Sequence, residues 1–220
     1  MCGILGIVGR PRAESLDAIE LLRHRGPDGD GRWNGDGVAL AMRRLAIIDL
    51  ETGDQPVLNE RGDVVAIVNG ELYNYRELRA ELEAKGHTFR GHSDVEIVPH
   101  LYEEHGEAFV ERVRGMFAIA LWDDARHRLV LARDRLGIKP LYLAQLGEGL
   151  AFASELAPLL ALGASSEPDA EAVADYLVLG YVPGERTGIA GARSLPSAHA
   201  LVATHPTQVG WPTRAKRSRR

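Results

Sequence analysis

Residues 1–9 read MCGILGIVG and place a cysteine directly before a short apolar run. The run from Ile4 to Val8 is rich in β-branched residues and ends at Gly9, which predicts a buried strand. Once Met1 is removed, a cysteine at position 2 carries both a thiol and the α-amino group, so the amine could act as general base for the thiol. Position 2 alone still favours an ordinary buried cysteine over a catalytic one.

The composition is typical of a globular protein that needs no covalent crosslinks. Of the 220 residues, 45% are hydrophobic and 26% are charged, which allows one sizeable core. The single cysteine excludes an internal disulfide and a cysteine-rich metal site, as expected in a reducing compartment. No basic stretch precedes the first apolar run, which is also too short for a membrane span. We therefore expect a cytoplasmic protein with no membrane partner.

The remaining pattern predicts strands joined by short polar links, with helices between groups of strands. Asn74 with Glu77, and Ser93 with Glu96, resemble the capping boxes that begin helices. Such grouping favours antiparallel sheets and an α+β fold over alternating βαβ units. The predicted strands lie in residues 38–50, 64–73, 116–123, 129–134, 141–144 and 150–154, and the predicted helices in 14–23, 74–86, 93–105, 156–162 and 169–179.

Nine short motifs occur in the order and approximate spacing of class II glutamine amidotransferases, specifically of the asparagine synthetase type. The resemblance covers roughly residues 1–200. It implies a four-layer αββα sandwich of the N-terminal nucleophile hydrolase type, with two antiparallel sheets between helical layers and an amidotransferase domain over residues 2–165. The motifs are MCGILGIVG, RHRGPDGDG, RRLAIIDL, QPVLNE, VNGELYNYRELRAEL, HSDVEIV, RGMFAIALWD, RDRLGIKPLY and FASEL.

The resemblance also implies a reaction and its catalytic residues. Cys2 would attack the side-chain amide of L-glutamine, form a γ-glutamyl thioester and release ammonia, after which water would yield L-glutamate. Asn69 and Gly70 would form the oxyanion hole, in which the loss of one donor typically lowers the rate ~100- to 1,000-fold. From the residues alone, Asn69-Gly70 is more simply interpreted as a tight hairpin turn.

The substrate-binding residues follow from the same resemblance. Arg44 would bind the α-carboxylate of glutamine, because a guanidinium pairs with a carboxylate in a planar, bidentate manner. Asp94 and Glu71 would bind the α-ammonium group. By themselves, Arg44 could be a solvated surface residue and Asp94 could simply favour a helix dipole. The backbone around three further residues would line the pocket: Leu45, Ile47 and Ile48.

Two other motifs carry weaker expectations. RHRGPDG at residues 23–29 resembles the loop that closes over glutamine in this family, although its glycines and proline could serve only to end the preceding helix. Arg133, Asp134 and Lys139 of RDRLGIKPLY are interpreted as an internal ion-pair network without a catalytic role.

No metal or cofactor is expected in this domain. His87 and His92 are too isolated from other ligands along the chain to predict a metal site, and HEXXH is absent. Phosphate-loop and dinucleotide motifs are absent too. ATP and Mg²⁺ would belong to a synthetase domain, whose SGGxDS-type loop does not occur in this chain.

The end of the chain departs from the family pattern. Residues 166–202 resemble the connection toward a synthetase domain, whereas 203–220 resemble nothing in it. No Asp or Glu follows Glu185, while seven of the 26 basic residues do. These observations predict a disordered basic tail, arising from a truncation or a shifted reading frame near residue 203. A tail this short, with no folded scaffold, does not predict a nucleic-acid partner.

The leading hypothesis is the glutaminase half of an asparagine synthase-like enzyme. Its partners would be L-glutamine and a separate synthetase domain or subunit, so complete asparagine synthesis is not expected from this chain alone. One alternative is an inactive remnant or a glutamine-binding module. Another is an amidotransferase subunit for an acceptor other than aspartate. The oligomeric state is left open.

Overall fold

The computed structural model describes residues 1–9, 11 and 13–204, and these residues form two antiparallel sheets with helices on their outer faces. The strands are β1 (Gly3–Val8), β2 (Gly29–Gly35), β3 (Val38–Arg44), β4 (Val57–Leu58), β5 (Val64–Leu72), β6 (Gly115–Asp123), β7 (Arg128–Arg133), β8 (Tyr142–Leu146), β9 (Gly149–Ala153), β10 (Arg193–Ser194) and β11 (Ala200–Ala203). The six-stranded sheet has the order β10-β8-β9-β1-β3-β2, and the five-stranded sheet has the order β11-β7-β6-β5-β4.

Helices cover both outer faces of the sandwich. A 3-10 helix (Ala13–Leu22) and α4 (Leu156–Ala161) pack on the six-stranded sheet, whereas α1 (Tyr75–Ala84) and α2 (Ile97–His105) pack on the five-stranded one. The α-helices are α1 (Tyr75–Ala84), α2 (Ile97–His105), α3 (Phe109–Arg112), α4 (Leu156–Ala161) and α5 (Ala170–Leu179), and short 3-10 turns span Asp94–Glu96 and Gly106–Ala108.

Three apolar clusters lie between these four layers. Ile4 and Leu40 of one sheet meet Trp122 of the other in the central cluster. On the outer side of the six-stranded sheet, Leu5 packs with Ile19 of the 3-10 helix. A third cluster joins the five-stranded sheet to α1 and α2. The predicted αββα sandwich is therefore confirmed, and the burial of each such aliphatic side chain contributes about 1.5–3 kcal/mol.

The position of β1 explains how the fold presents the first residues. β1 lies inside the six-stranded sheet, between β9 and β3, and all six of its residues are buried. Alternate side chains point to opposite faces of a strand, so this apolar run supplies two of the three clusters. Cys2 directly precedes β1 and is thereby held at one end of the sandwich.

The helix-start predictions were only partly correct. The Ser93 hydroxyl accepts a hydrogen bond from the Val95 amide, as an N-cap should. Asn74 does not cap α1: its side chain instead donates to the Arg112 carbonyl and accepts from the Arg114 amide. The short polar side chain thus joins two loops because both backbone groups lie within its reach.

Residues beyond 165 return to the two sheets. β10 pairs with β8 and β11 pairs with β7, so one edge strand is added to each sheet. The division at residues 165 and 202 stays a prediction, and 205–220 of the expected basic tail lie outside the described residues. Within the part of the chain that is described, no helix is long and apolar enough to cross a membrane.

Candidate active site

A cavity of about 160 Å³ opens at the end of the sandwich where β1 begins and β3 ends. Its walls come from the segment before β1, the loop after β3, the strand β5 and the 3-10 turn that carries Asp94. The structure brings together in this cavity every residue that the sequence predicted for the site: Cys2, Arg44, Leu45, Ile47, Ile48, Asn69, Gly70, Glu71 and Asp94.

The Cys2 thiol is half-buried and lies against the backbone of Leu45. The Leu45 amide nitrogen is 3.4 Å from Sγ, and Sγ is 3.7 Å from the Leu45 carbonyl oxygen. A donor aimed at sulfur interacts more strongly with a thiolate than with a thiol. The Arg25 side chain donates to the Cys2 carbonyl over 3.1 Å, which also holds the backbone of the cysteine.

Asn69 presents a buried amide to the cavity. It lies within β5, opposite Ala118 of β6, and is fully buried. Neither its Nδ2 nor its Oδ1 makes a hydrogen bond to any residue that the structure describes. A buried amide without partners costs about 1–3 kcal/mol, so such a group is an available donor for a molecule in the cavity.

Gly70 is required by the contact between two strands. It lies opposite Phe117, and a Cβ atom at this position would stand 2.1 Å from the Met116 carbonyl oxygen. Asn69 and Gly70 therefore do not form a hairpin turn, and that interpretation of the sequence was wrong. The dipeptide lies within β5, and position 70 requires glycine because β6 approaches too closely for a larger residue.

Arg44 is buried at the end of β3 and holds the loop that follows it. Its Nη1 donates to Asp54 over 2.7 Å, and its Nη2 donates to the carbonyls of Ile48 and Asp49. The interpretation as a solvated surface residue was wrong. Because the side chain of Asp54 is 84% exposed, this ion pair is open to exchange with another carboxylate that enters the cavity.

Asp94 brings a nearly fully buried carboxyl group to the opposite wall. Burial raises its pKa above the ordinary value, and the charge of Glu71 adds to the rise, although a hydrogen bond from the Leu72 amide opposes it. That bond measures 2.8 Å to Oδ2. Among residues 1–9, 11 and 13–204, no basic side chain forms an ion pair with Asp94. A ligand ammonium group would therefore find an uncompensated carboxylate.

The loop after β3 is tied to the Asp94 segment by Asp49, a residue that the sequence analysis missed. Asp49 accepts hydrogen bonds from the Thr52 side chain and from the backbone amides of Thr52 and His92. The hydrogen bond from the Thr52 hydroxyl is the largest effect on the pKa of Asp49, which is lowered to about 2. Burial acts in the opposite direction. The two walls of the cavity are thus connected.

The RDRLGIKPLY segment contradicts the expected ion-pair network. Within the described chain, no ion pair joins Arg133, Asp134 and Lys139. Arg133 donates to the carbonyls of Gly137, Lys139 and Leu195 and to the Ser194 hydroxyl, whereas the Asp134 carboxylate accepts from four backbone amides. Lys139 is buried, lines the cavity and places Nζ 3.1 Å from Met1 Sδ. Nothing in the RDRLGIKPLY motif indicates from sequence that Lys139 lines the cavity.

The loop at residues 23–29 contacts both Cys2 and the loop after β3. Arg25 bonds to the Cys2 carbonyl and forms an ion pair with Glu155 at 2.8 Å. The Asp28 carboxylate accepts from the Ala46 amide over 2.9 Å. The loop therefore contacts Cys2, which lines the cavity, but none of its own residues does, and its proposed movement over a substrate stays a prediction.

Comparisons with known proteins place this geometry in a family. A family model described as a glutamine amidotransferase domain matches residues 1–210. The chain is 42% identical over 195 residues to asparagine synthetase [glutamine-hydrolyzing] 1 of Bacillus subtilis, covering 85% of this chain and 31% of that protein. It is 47% identical over 166 residues to asparagine synthetase [glutamine-hydrolyzing] 2 of Arabidopsis thaliana, covering 72% and 28%. The chain thus spans less than a third of the length of these relatives.

Solved structures agree on the fold. Glutamine phosphoribosylpyrophosphate amidotransferase of B. subtilis, complexed with ADP and GMP, superposes with a TM-score of 0.62 at 23% identity, over 74% of this chain and 44% of that one. A structure described as the allosteric regulatory enzyme of purine biosynthesis gives 0.64 at 21% identity, over 91% and 46%. Because the family model covers nearly the whole sequence, the chain belongs to the glutamine amidotransferase domain family, as a class II amidotransferase of the asparagine synthetase type.

Proposed function

We propose that this domain hydrolyses L-glutamine to L-glutamate and ammonia, with Cys2 as the nucleophile. The observation that carries the proposal is that the Cys2 thiol and the unpartnered, buried amide of Asn69 line one cavity. A nucleophile and a donor for the developing oxyanion are the two groups that acyl transfer from an amide requires.

The reaction would proceed in two steps, formation of a thioester and its hydrolysis. Cys2 Sγ attacks the side-chain carbonyl carbon, and the α-amine of Cys2 accepts the thiol proton. Asn69 Nδ2 and the Gly70 amide would donate to the oxyanion. The amine then returns the proton to the leaving nitrogen, and ammonia departs from a γ-glutamyl thioester. Water adds to the thioester carbon, again with the amine as base, and L-glutamate and the free thiol are released.

This mechanism requires removal of Met1. While Met1 is present, the terminal ammonium belongs to Met1 and donates to the Arg25 carbonyl over 3.0 Å, and Met1 itself lines the cavity. Its removal would place the α-amine on Cys2, beside the thiol that it must deprotonate. It would also open the part of the cavity that faces Lys139.

The amino-acid head of glutamine would be held by opposite charges across the cavity. Arg44 would bind the α-carboxylate by exchanging its exposed partner Asp54, while Asp94, with Glu71 beside it, would bind the α-ammonium group. Ionic hydrogen bonds from both ends would place the side-chain amide near Cys2. The backbone of Leu45, Ile47 and Ile48 would complete the wall, as the lining of the cavity supports.

The test is glutamate release from L-glutamine by the purified chain, without ATP, Mg²⁺ or aspartate. We expect release that is lost in Cys2→Ala, with intact mass showing that Met1 is absent from the active protein. No release from a folded, Met1-free sample would contradict the proposal. Calorimetric binding of glutamine in that sample would then identify a glutamine-binding module, and absence of binding would identify an inactive remnant.

We further propose that the ammonia acceptor is bound by a separate synthetase domain or subunit, where ATP and Mg²⁺ would also act. The relatives named above are called synthetases and are more than three times as long as the matched region. In α5, Ala172 alone is buried, while Leu177 and Val178 are 79% and 82% exposed. Such an apolar face favours a protein partner. Acceptor specificity would reside in that partner, so an acceptor other than aspartate is the alternative.

A further inference from the structure

Two histidines and two carboxylates meet at a place outside the candidate active site. Glu60 follows β4, His87 follows α1, and His100 and Glu103 lie on α2. One ligand atom from each of these four residues, called here the His-Glu cluster, lies within 4.8 Å of the others. The prediction that His87 is isolated from other ligands was therefore wrong, because the packing of α1 against α2 brings in residues that are distant along the chain.

The distances within the His-Glu cluster are those of a compact coordination site. His87 Nδ1 is 3.1 Å from Glu60 Oε1 and 3.9 Å from Glu103 Oε2. His100 Nδ1 is 3.2 Å from Glu60 Oε2 and 3.6 Å from Glu103 Oε2. Four tetrahedral ligand atoms at ~2.0–2.1 Å from a zinc ion are about 3.3 Å apart. The shorter His-Glu pairs already match this spacing, and the whole set, which lies within 4.8 Å, would contract around the ion.

The cluster also contains buried polar atoms that lack partners. His100 is 1% exposed, and neither of its ring nitrogens makes a hydrogen bond within the described part of the chain. The same holds for the buried Oε2 of Glu103. An imidazole and a carboxylate that face each other without a hydrogen bond are destabilising, and a shared cation would satisfy both.

The charges of these groups also suit a cation. Glu60 and Glu103 each place a carboxylate oxygen within 3.9 Å of both imidazoles. Two carboxylates would balance the charge of a divalent ion.

Surrounding groups orient the cluster, and a cleft gives access to it. Glu104 Oε1 lies 3.3 Å from His87 Nε2, and a hydrogen bond donated by Nε2 would leave the lone pair of Nδ1 facing Glu60, where the ion would bind. Arg61 holds the other oxygen of Glu103 at 2.9 Å. A polar cavity of about 500 Å³, lined by His87, Glu103 and Glu104 among others, opens beside the cluster. An ion could therefore enter from solvent.

We propose that the His-Glu cluster is a binding site for a divalent transition-metal ion, Zn²⁺, that fastens the loop after β4 to helix α2. Two imidazole nitrogens and two carboxylate oxygens suit Zn²⁺, whereas Mg²⁺ and Ca²⁺ prefer oxygen ligands alone. The competing arrangement is a cluster held together by shared protons, with no ion bound.

The test is zinc binding by the full chain in a Cys2→Ala background, which removes the thiol as a competing ligand. After removal of metal with a chelator, Zn²⁺ is titrated against a chromophoric chelator. We expect one ion per chain and an X-ray absorption spectrum with nitrogen and oxygen neighbours at ~2.0–2.2 Å. His87→Gln and Glu103→Gln should each weaken binding at least ~100-fold, since either removes one of four ligands.

The matched control is His105→Gln, which changes a histidine of the same helix outside the cluster. It should bind Zn²⁺ as the background does. Circular dichroism in zinc-free buffer verifies that the variants fold, and Glu103→Gln preserves the size of the side chain. Binding that is weaker than micromolar, or equal in the cluster variants and in the control, would overturn the proposal and favour the proton-linked cluster.

Discussion

Two regions of this molecule leave buried polar atoms without partners among the described residues, and their surroundings differ. The amide of Asn69 lines the same cavity as the half-buried Cys2 thiol, whereas the ring of His100 faces two carboxylates. A neutral amide beside a nucleophile suits the oxyanion of an organic substrate, and an imidazole among carboxylates suits a metal cation. An unpartnered buried group is thus available to a ligand, and its neighbours decide which kind of ligand suits it.

The largest effect on glutamine hydrolysis is expected from Cys2→Ala, which changes only the first of the two regions. Glutamine hydrolysis should fall by at least ~10⁴-fold, because the nucleophile cannot be replaced by its neighbours. Thermal unfolding should change little, since the half-buried thiol makes only weak contacts with the Leu45 backbone. Glutamate release and Tm are the measurements. Full turnover in the alanine variant would remove Cys2 from the mechanism.

The next largest effect is expected from Asn69→Ala. Removing the proposed oxyanion donor should lower kcat ~100- to 1,000-fold, with a small change in KM, because the donor acts mainly in the transition state. Stability should not fall as it would for a hydrogen-bonded buried amide, since Asn69 has no bond to lose among the described residues. Steady-state kinetics and denaturant unfolding test both parts. An unchanged kcat would contradict the assignment.

A smaller, pH-dependent effect is expected from Asp94→Asn. Loss of one partner of a buried ionic contact costs about 2 kcal/mol or more, so KM for glutamine should rise at least ~30-fold. Because burial raises the pKa of Asp94, the wild-type KM should rise on acidification at a higher pH than for an ordinary aspartate. The variant should lack this rise, and KM profiles between pH 4 and 8 measure it.

The ionisation of Asp94 should also make the stability of the folded protein depend on pH. Its pKa is raised in the folded state, so its contribution to stability is greatest below the pKa of the unfolded chain and is lost as pH rises through the folded value. The unliganded wild type should therefore lose stability relative to Asp94→Asn as pH rises. Parallel Tm curves for the two proteins would show that ionisation of Asp94 is not coupled to folding.

The smallest effect on catalysis is expected on α5, none of whose residues lines the cavity or belongs to the His-Glu cluster. Changing Leu177 and Val178 to lysine should leave glutamine hydrolysis unchanged but reduce self-association, because the variant removes exposed apolar surface. Leu136→Lys, at an exposed leucine outside α5, is the control and should not alter association. Size-exclusion chromatography at several concentrations measures the difference. Equal association in all three proteins would show that the α5 face does not mediate self-association.

The residues that the family resemblance assigned to the site lie together in the structure, whereas predictions that depend on long-range packing failed. All nine residues assigned to the pocket line one cavity, although their roles stay proposals. The hairpin interpretation of Asn69-Gly70 failed because dipeptide statistics take no account of an opposing strand. A Cβ atom added at Gly70 would stand 2.1 Å from the Met116 carbonyl oxygen of β6. The ion pairs expected of Arg133 and Asp134 failed because opposite charges close in sequence can each bind backbone groups instead.

The sequence by itself predicted β1, β3 and β5 to β9, but not β2, β4, β10 or β11. It also determined the αββα layering implied by its motifs and the position of Cys2 before a buried strand. These properties follow from local periodicity and from motifs that are contiguous along the chain. Only the tertiary structure decided the unpartnered state of Asn69, the position of Lys139 beside Met1 and the assembly of the His-Glu cluster. Each depends on side chains that are distant in sequence and that meet only when layers pack, so no local pattern encodes them.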